Sequence, residues 1–116
     1  MKIESLAGDI IAFSVRGEPN LGGELRAITE LVSDDMDSNI IVDFLCVDIV
    51  RSSSLTKLLK LRQAVVARNR QLVLCNIHPL TQSIMEVTDL NKVFPVSADK
   101  QAAVSVIRST RFAPML

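Results

Sequence analysis

Two short and almost continuously apolar segments, each followed by a helical pattern, constrain this chain more than any other feature. Ile40–Cys46 is apolar at six of its seven positions, and Gln71–Cys75 has the same character. Neither segment alternates between apolar and polar residues, which is typical of strands covered on both faces. Buried strands that alternate with helices through short links predict a mostly parallel sheet with helices packed against it.

The remaining segments complete an α/β order. Strands are predicted at residues 1–6, 10–16, 40–46, 71–75 and 93–96, the last as an edge strand that tolerates Pro95. Helices are predicted to begin at Leu21, at Ser52, at Pro79 and at Ala98, the second continuing to about Asn69. The predicted fold is therefore α/β, with the order ββαβαβαβα.

Apolar residues at helical spacing indicate which side chains enter the core. The second helix has an inward stripe formed by Leu55, Leu58, Leu59, Leu61 and Val65, with Val66 nearby. The third helix shows the same spacing at Leu80, Ile84 and Val87. The last helix carries Ala102, Ala103, Val106 and Ile107.

A chain of 116 residues has room for one core, so we expect a single domain over residues 1–116. No apolar run approaches the ~20 residues that cross a bilayer, and the first residues lack a signal-peptide pattern. We therefore expect a cytoplasmic protein without direct membrane insertion. Cys46 and Cys75 lie among apolar neighbours and are predicted to be buried free thiols.

Charge is distributed unevenly along the chain although the net charge is zero. Residues 1–50 carry three basic and ten acidic side chains, whereas residues 51–116 carry ten basic and three acidic ones. Much of this cancels if the halves interleave in one sheet. If the basic residues of 51–70 share a face, they suit an acidic partner; the alternative is a solvated helix surface. Zero net charge and only four aromatic residues argue against nucleic acid.

Three segments, in order, resemble the STAS domain (sulphate transporter and anti-sigma-factor antagonist). Residues 42–55 are similar to the family's strand, loop and helix start, which closes in D-S-S-G-L; here the ending reads Arg51-Ser52-Ser53-Ser54-Leu55. Residues 70–79 are similar to a second strand and its following proline, and residues 84–96 to a helix, a T-G-L corner and an F-P strand. This chain has Asp89 in place of the glycine in that corner. Asp tolerates the left-handed backbone angles that the position needs.

The resemblance implies a regulatory module that binds an anti-sigma factor, itself a serine kinase, in a partner switch. By position, Ser52 is the candidate phospho-acceptor, and the expected protein is a monomer or weak dimer. The partner-binding candidates are Arg51, Ser53, Ser54, Thr56, Lys57 and Lys60. Arg51 replaces an Asp, and Ser54 and Thr56 replace glycines, so the charge and the side chains around Ser52 differ from the family pattern.

Other interpretations stay open at this stage. Ser52 fits equally well as a helix N-cap. The chain also fits a non-phosphorylated scaffold or accessory STAS subunit of a membrane transporter ATPase, or a small-ligand sensor. No catalytic residue, cofactor or metal ligand is predicted, since Cys75 and His78 are too few for a zinc site, and Asp43 and Asp48 lack an acid–base partner.

Overall fold

A five-stranded sheet in the order β1-β2-β3-β4-β5 organises the computed structural model, which describes residues 1–34 and 36–110. β1 and β2 are antiparallel, and every other neighbouring pair is parallel. In chain order the elements are β1 (Lys2–Ala7), β2 (Ile10–Arg16), α1 (Leu21–Asp34), β3 (Asn39–Cys46), α2 (Ser52–Ala67), β4 (Leu72–Cys75), α3 (Pro79–Val87), a 3₁₀ turn (Leu90–Lys92), β5 (Val96–Ser97) and α4 (Lys100–Thr110). The predicted fold class and element order are confirmed.

The strands β3 and β4 are covered on both faces, as their unbroken apolar character predicted. One face of the sheet packs against α1, α2 and α3 through a cluster that includes Ile40, Val42, Phe44, Leu72 and Leu74. The other face packs against α4 through Ile41, Val73, Cys75, Ala103 and Ile107. Alternate strand residues thus serve two separate apolar layers.

The inward face of α2 is narrower than predicted. Leu58, Leu61 and Val65 are buried, whereas Leu55 and Leu59 are half-buried, and Val66 is 48% exposed. α2 packs beside α1 and contacts the core through a narrow face. The residues on either side of that face therefore remain partly exposed to water.

The apolar spacing in α3 pointed to the wrong face. Leu80, Ile84 and Val87 are all exposed, and the buried residues are Thr81 and Met85. Thr81 Oγ1 donates to the carbonyl oxygen of Asp48 at 3.4 Å, and Met85 packs in the α1–α2 side of the core. The observed orientation of α3 therefore differs from the predicted one by about one residue, which is a rotation of roughly 100° about the helix axis.

Three smaller expectations differ from the structure. Cys46 is exposed because it ends β3, whose last two residues are exposed while the first six are buried; Cys75 is buried as expected. Burial, together with the nearby Asp43 charge, raises the pKa of the Cys75 thiol to about 12. β5 comprises Val96–Ser97, whereas the predicted strand was 93–96. α4 begins at Lys100 rather than at Ala98.

Ion pairs join the acidic and basic halves of the chain. Arg70 Nε lies 2.8 Å from Asp37 Oδ1, and this hydrogen bond holds the pKa of Asp37 below its usual range. Lys100 pairs with Glu4 and lies 3.7 Å from Asp43 Oδ2. Part of the charge asymmetry between the two halves therefore cancels within the fold. Asp89 adopts the expected left-handed conformation, with φ 61°.

Candidate functional site

The site predicted around Ser52 lies where the chain passes from β3 into α2. β3 ends at Cys46, and Val47 N–H returns to the Phe44 carbonyl to close a turn. α2 then begins at Ser52, with Arg51 as its N-cap residue and without a hydrogen bond from the Arg51 side chain. Ser52 is thus the first helical residue, and its predicted role as N-cap is wrong.

The side chain that caps α2 is Glu18, in the turn between β2 and α1. Its Oε2 accepts the Arg51 backbone N–H at 2.8 Å and the Ser54 hydroxyl at 2.7 Å. Glu18 precedes Arg51 by 33 positions, so a distant residue provides what a capping side chain normally provides locally. Its negative charge also lies at the favourable end of the helix dipole.

Ser54 belongs to this interior arrangement and not to the surface. It is 1% exposed, and its hydroxyl is committed to Glu18. Ser54 therefore differs from the other partner-binding candidates, because its side chain is inaccessible while this turn stays closed. Gly22 of α1 fits tightly here: a Cβ on it would lie 3.4 Å from Ser54 Oγ and 3.0 Å from Lys57 Nζ.

The other site residues predicted from the sequence surround the same helix start. Arg51, Ser52, Ser53, Thr56 and Lys60 are exposed, and Lys57 is half-buried. Thr56 Oγ1 donates to the Ser52 carbonyl at 3.3 Å, one turn back. The structure thus brings these residues onto one surface, in which the Ser52 and Ser53 hydroxyls are open to solvent.

A shallow cavity of about 510 Å³ adjoins this surface. Its lining includes Glu18, Asp48, Arg51 and the exposed Cys46. Arg16 also lines it, but its backbone N–H and its Nε donate to the Glu24 carboxylate at 2.7 and 2.6 Å. Burial alone would raise the pKa of Glu24; the Arg16 contacts outweigh burial, and the pKa is lowered.

The polar residues considered for chemistry have structural roles. Asp43 is buried, and its Oδ1 accepts from Leu45 N–H at 3.0 Å and from Asn76 Nδ2 at 2.9 Å. His78 Nδ1 accepts the Leu80 N–H at 3.2 Å and caps α3, whereas Cys75 lies in the core. In residues 1–34 and 36–110, no three His, Cys, Asp or Glu side chains are placed to hold a metal ion. Within the same residues, no helix is long and apolar enough to cross a membrane.

Sequence reasoning missed Glu18 entirely. Nothing near residue 18 resembles a binding motif, and its contact depends on how the turn folds back. One signal was available: a hydroxyl at position 54, where the resembled motif has glycine, needs a hydrogen-bond partner once it is buried.

Comparison with solved structures finds the same fold in other proteins. An anti-sigma factor antagonist from Mycobacterium paratuberculosis has a TM-score of 0.76 at 19% identity, covering 92% of both chains. The Bacillus cell fate determinant SpoIIAA, solved in its phosphorylated form, has a TM-score of 0.69 at 14% identity, covering 90% of this chain and 97% of that one. The STAS domain of a SulP transporter from Vibrio cholerae has a TM-score of 0.76 at 10% identity, covering 90% and 88%.

A search of curated proteins finds no significant match. The model of the STAS domain family matches residues 9–103, which include all of the sheet except β1 and every helix start. This match spans most of the sequence and agrees with the fold and with the solved structures that resemble it. The chain therefore belongs to the STAS domain family.

Proposed function

We propose that this protein is a regulatory binding module of the anti-sigma-factor antagonist type, and that phosphorylation of Ser52 abolishes binding to its partner. The partner is an anti-sigma factor that is also a serine kinase. The observation that carries the proposal is the contrast within Ser52-Ser53-Ser54: the first hydroxyl is exposed at the start of α2, while the third is buried on Glu18. The phosphorylated relative SpoIIAA, which has the same fold, supports it.

The first turn of α2 suits a phosphoserine. In the reaction, the γ-phosphoryl group of ATP moves to Ser52 Oγ, the hydroxyl proton leaves, and ADP is released. The product adds about −1.5 to −2 charges at pH 7. Backbone N–H groups at a helix start stabilise such a charge, and the exposed Arg51 lies next to it in sequence.

Arg51 makes this switch differ from one with an acidic residue before the serine. A guanidinium beside the phosphate neutralises part of the new charge, so the repulsion felt by a partner is weaker. We expect Ser52→Asp to keep the fold and weaken partner binding, and Arg51→Asp to deepen that loss. Affinity for the isolated partner, measured for wild type, both single variants and the double variant, tests this.

The matched control is Ser53→Ala, because Ser53 is also exposed and lies one residue further along the same turn. Incubation with the partner kinase and ATP, followed by mass spectrometry, should give one phosphate in wild type and in Ser53→Ala and none in Ser52→Ala. Phosphate incorporation that survives Ser52→Ala, or a Ser52→Asp variant that binds as tightly as wild type, would contradict the proposal.

A second function is favoured by the similarity to the STAS domain of the Vibrio cholerae SulP transporter. Here the protein would be a non-phosphorylated accessory subunit of a membrane transporter ATPase. Co-purification with such an ATPase, unchanged by Ser52→Ala and Ser52→Asp, would favour this function over the switch.

A further inference from the structure

A groove lies between α1 and α2, the helix that begins at Ser52. α1 and α2 run in the same direction, since Gly22 lies against Ser54 at one end, and Arg68 Nη2 donates to the Ser33 carbonyl at 3.0 Å at the other. Between these contacts lies a cavity of about 390 Å³. Its lining residues are Arg26, Thr29, Glu30, Lys57 and Lys60, which we call the α1–α2 groove.

The groove carries unbalanced positive charge. Arg26 lies 3.5 Å from Glu30, and both side chains are well exposed, so this pair is weak. The ammonium groups of Lys57 and Lys60 take part in none of the ion pairs formed by residues 1–34 and 36–110. Five other basic side chains of residues 51–110 have acceptors, namely Arg62, Arg68, Arg70, Lys92 and Lys100. Within the part of the chain that the structure describes, the exposed Lys60 and the half-buried Lys57 therefore have no carboxylate at ion-pair distance.

We propose that the α1–α2 groove is the docking surface for an acidic segment of the protein partner. This inference rests on the proposed function, because it assumes that the protein acts by binding another protein. Charge complementarity identifies the occupant: Lys57 and Lys60 are three residues apart on one helix face, about 5–6 Å between their Cβ atoms. Carboxylates spaced by three or four residues on a partner helix match that separation.

A protein segment fits this groove better than nucleic acid does. Glu30 lies within the groove and would repel a phosphate backbone, whereas a peptide can place an uncharged or basic residue opposite it. DNA binding also needs an extended array of phosphate contacts, and the groove supplies three cations.

The position of the groove connects it to the switch. Lys57 follows Ser52 by five residues, about 7.5 Å along the helix axis. Lys60 follows by eight residues, about 12 Å along the axis, whereas the Debye length is about 10 Å at 0.1 M salt. A phosphate on Ser52 therefore lowers the positive potential of the groove mainly at Lys57 and repels an acidic occupant there.

The test uses the full chain and a labelled helical peptide of about 16 residues with glutamates at every fourth position, together with the same peptide carrying glutamines. Binding is measured by fluorescence anisotropy at about 50 mM salt, where electrostatic contacts are screened less than at physiological ionic strength. The double variant Lys57→Glu/Lys60→Glu should bind the glutamate peptide at least about tenfold more weakly than wild type. The glutamine peptide should not bind measurably.

The matched control is Lys92→Glu/Arg108→Glu, which makes the same charge change at exposed positions outside the groove. It should change affinity less than about twofold, and circular dichroism should show the native spectrum for both double variants. Equal losses in the two double variants, absent peptide binding, or tighter binding to duplex DNA than to the peptide would overturn the inference.

Ser52→Asp separates this inference from the proposed switch. Weaker peptide binding in Ser52→Asp as well as in the groove variant supports both. Binding that is lost in the groove variant but unchanged in Ser52→Asp supports the docking surface and contradicts the switch.

Discussion

Helices α2 and α3 both start from the same edge of the sheet and cover the same face, yet their first turns are held differently. α3 is capped by its own neighbours: His78 Nδ1 accepts the Leu80 N–H, and Pro79 occupies the first helical position, where no N–H is needed. α2 begins with Arg51 and Ser52, neither of which caps it by a side chain, and depends on Glu18.

The first turn of α3 is therefore stabilised by residues adjacent to it in sequence, whereas the first turn of α2 is stabilised by a residue far from it in sequence. The start of α3 is complete once residues 79–82 are helical and His78 has its extended N-cap conformation. The start of α2 is complete only when the turn between β2 and α1 has folded against it. The surface that we assign to partner binding therefore consists of two segments far apart in sequence, and a change in either one should affect the other.

The largest effect should come from the buried face of α3. Met85→Ala removes a side chain that is 1% exposed and should lower the free energy of unfolding by about 2–5 kcal/mol. The control Ile84→Ala, next to it and 46% exposed, should cost less than about 0.5 kcal/mol. Urea unfolding measures both, and a larger loss for Ile84→Ala would show that α3 packs on the face predicted from sequence.

Removal of the distant cap should have the next largest effect. Glu18→Ala leaves the Ser54 hydroxyl and the Arg51 N–H without their acceptor, which should cost about 1–3 kcal/mol. Glu30→Ala is the matched control, because Glu30 is an exposed carboxylate and its ion pair with the exposed Arg26 is weak. If both glutamate variants unfold at the same urea concentration, Glu18 does not stabilise the start of α2.

The coupling between Glu18 and Ser54 should be smaller, about 1 kcal/mol. Ser54→Gly removes the buried hydroxyl that makes Glu18 necessary, so Glu18→Ala should cost less in that background. A double-mutant cycle from four unfolding curves gives this energy. Strictly additive losses would mean that the carboxylate acts on the helix start without Ser54.

The smallest effect should follow from loss of the local cap. His78→Ala removes the acceptor for the Leu80 N–H and should cost about 0.5–1 kcal/mol. His78→Asn keeps an acceptor at the N-cap and should recover most of it. A loss as large as that of Glu18→Ala would remove the distinction between the two helix starts.

The sequence predicted what depends on residues close together in the chain. The continuous apolar run at 40–46 identified a strand buried on both faces, and Asp89 was correctly placed in a left-handed conformation. The orientation of α3 was wrong because a nine-residue helix with apolar residues on two sides does not specify which side packs. The predicted burial of Cys46 was wrong because an apolar run does not reveal at which residue of a strand the burial ends.

The site was predicted in part for the same reason. Resemblance placed Ser52 at the start of a helix, and the structure puts it there with an exposed side chain. It also placed Ser54 on the surface, whereas Ser54 is buried. Its hydroxyl donates to an acceptor in a turn more than 30 residues earlier, which the motif around Ser52 does not include. Contacts of this kind become visible only once the tertiary structure is known.

The bond between Glu18 and Ser54 has an evolutionary consequence. With glycine at position 54, Glu18 would have only the Arg51 N–H to accept, whereas a serine there adds a buried hydroxyl that is costly without its acceptor. The two positions should therefore change together in related chains, with a carboxylate at 18 retained wherever a serine occupies 54 and less strictly required where glycine does. A lineage that acquired the serine first would have carried a less stable domain until the glutamate followed, so the order of the two substitutions is constrained as well as their pairing.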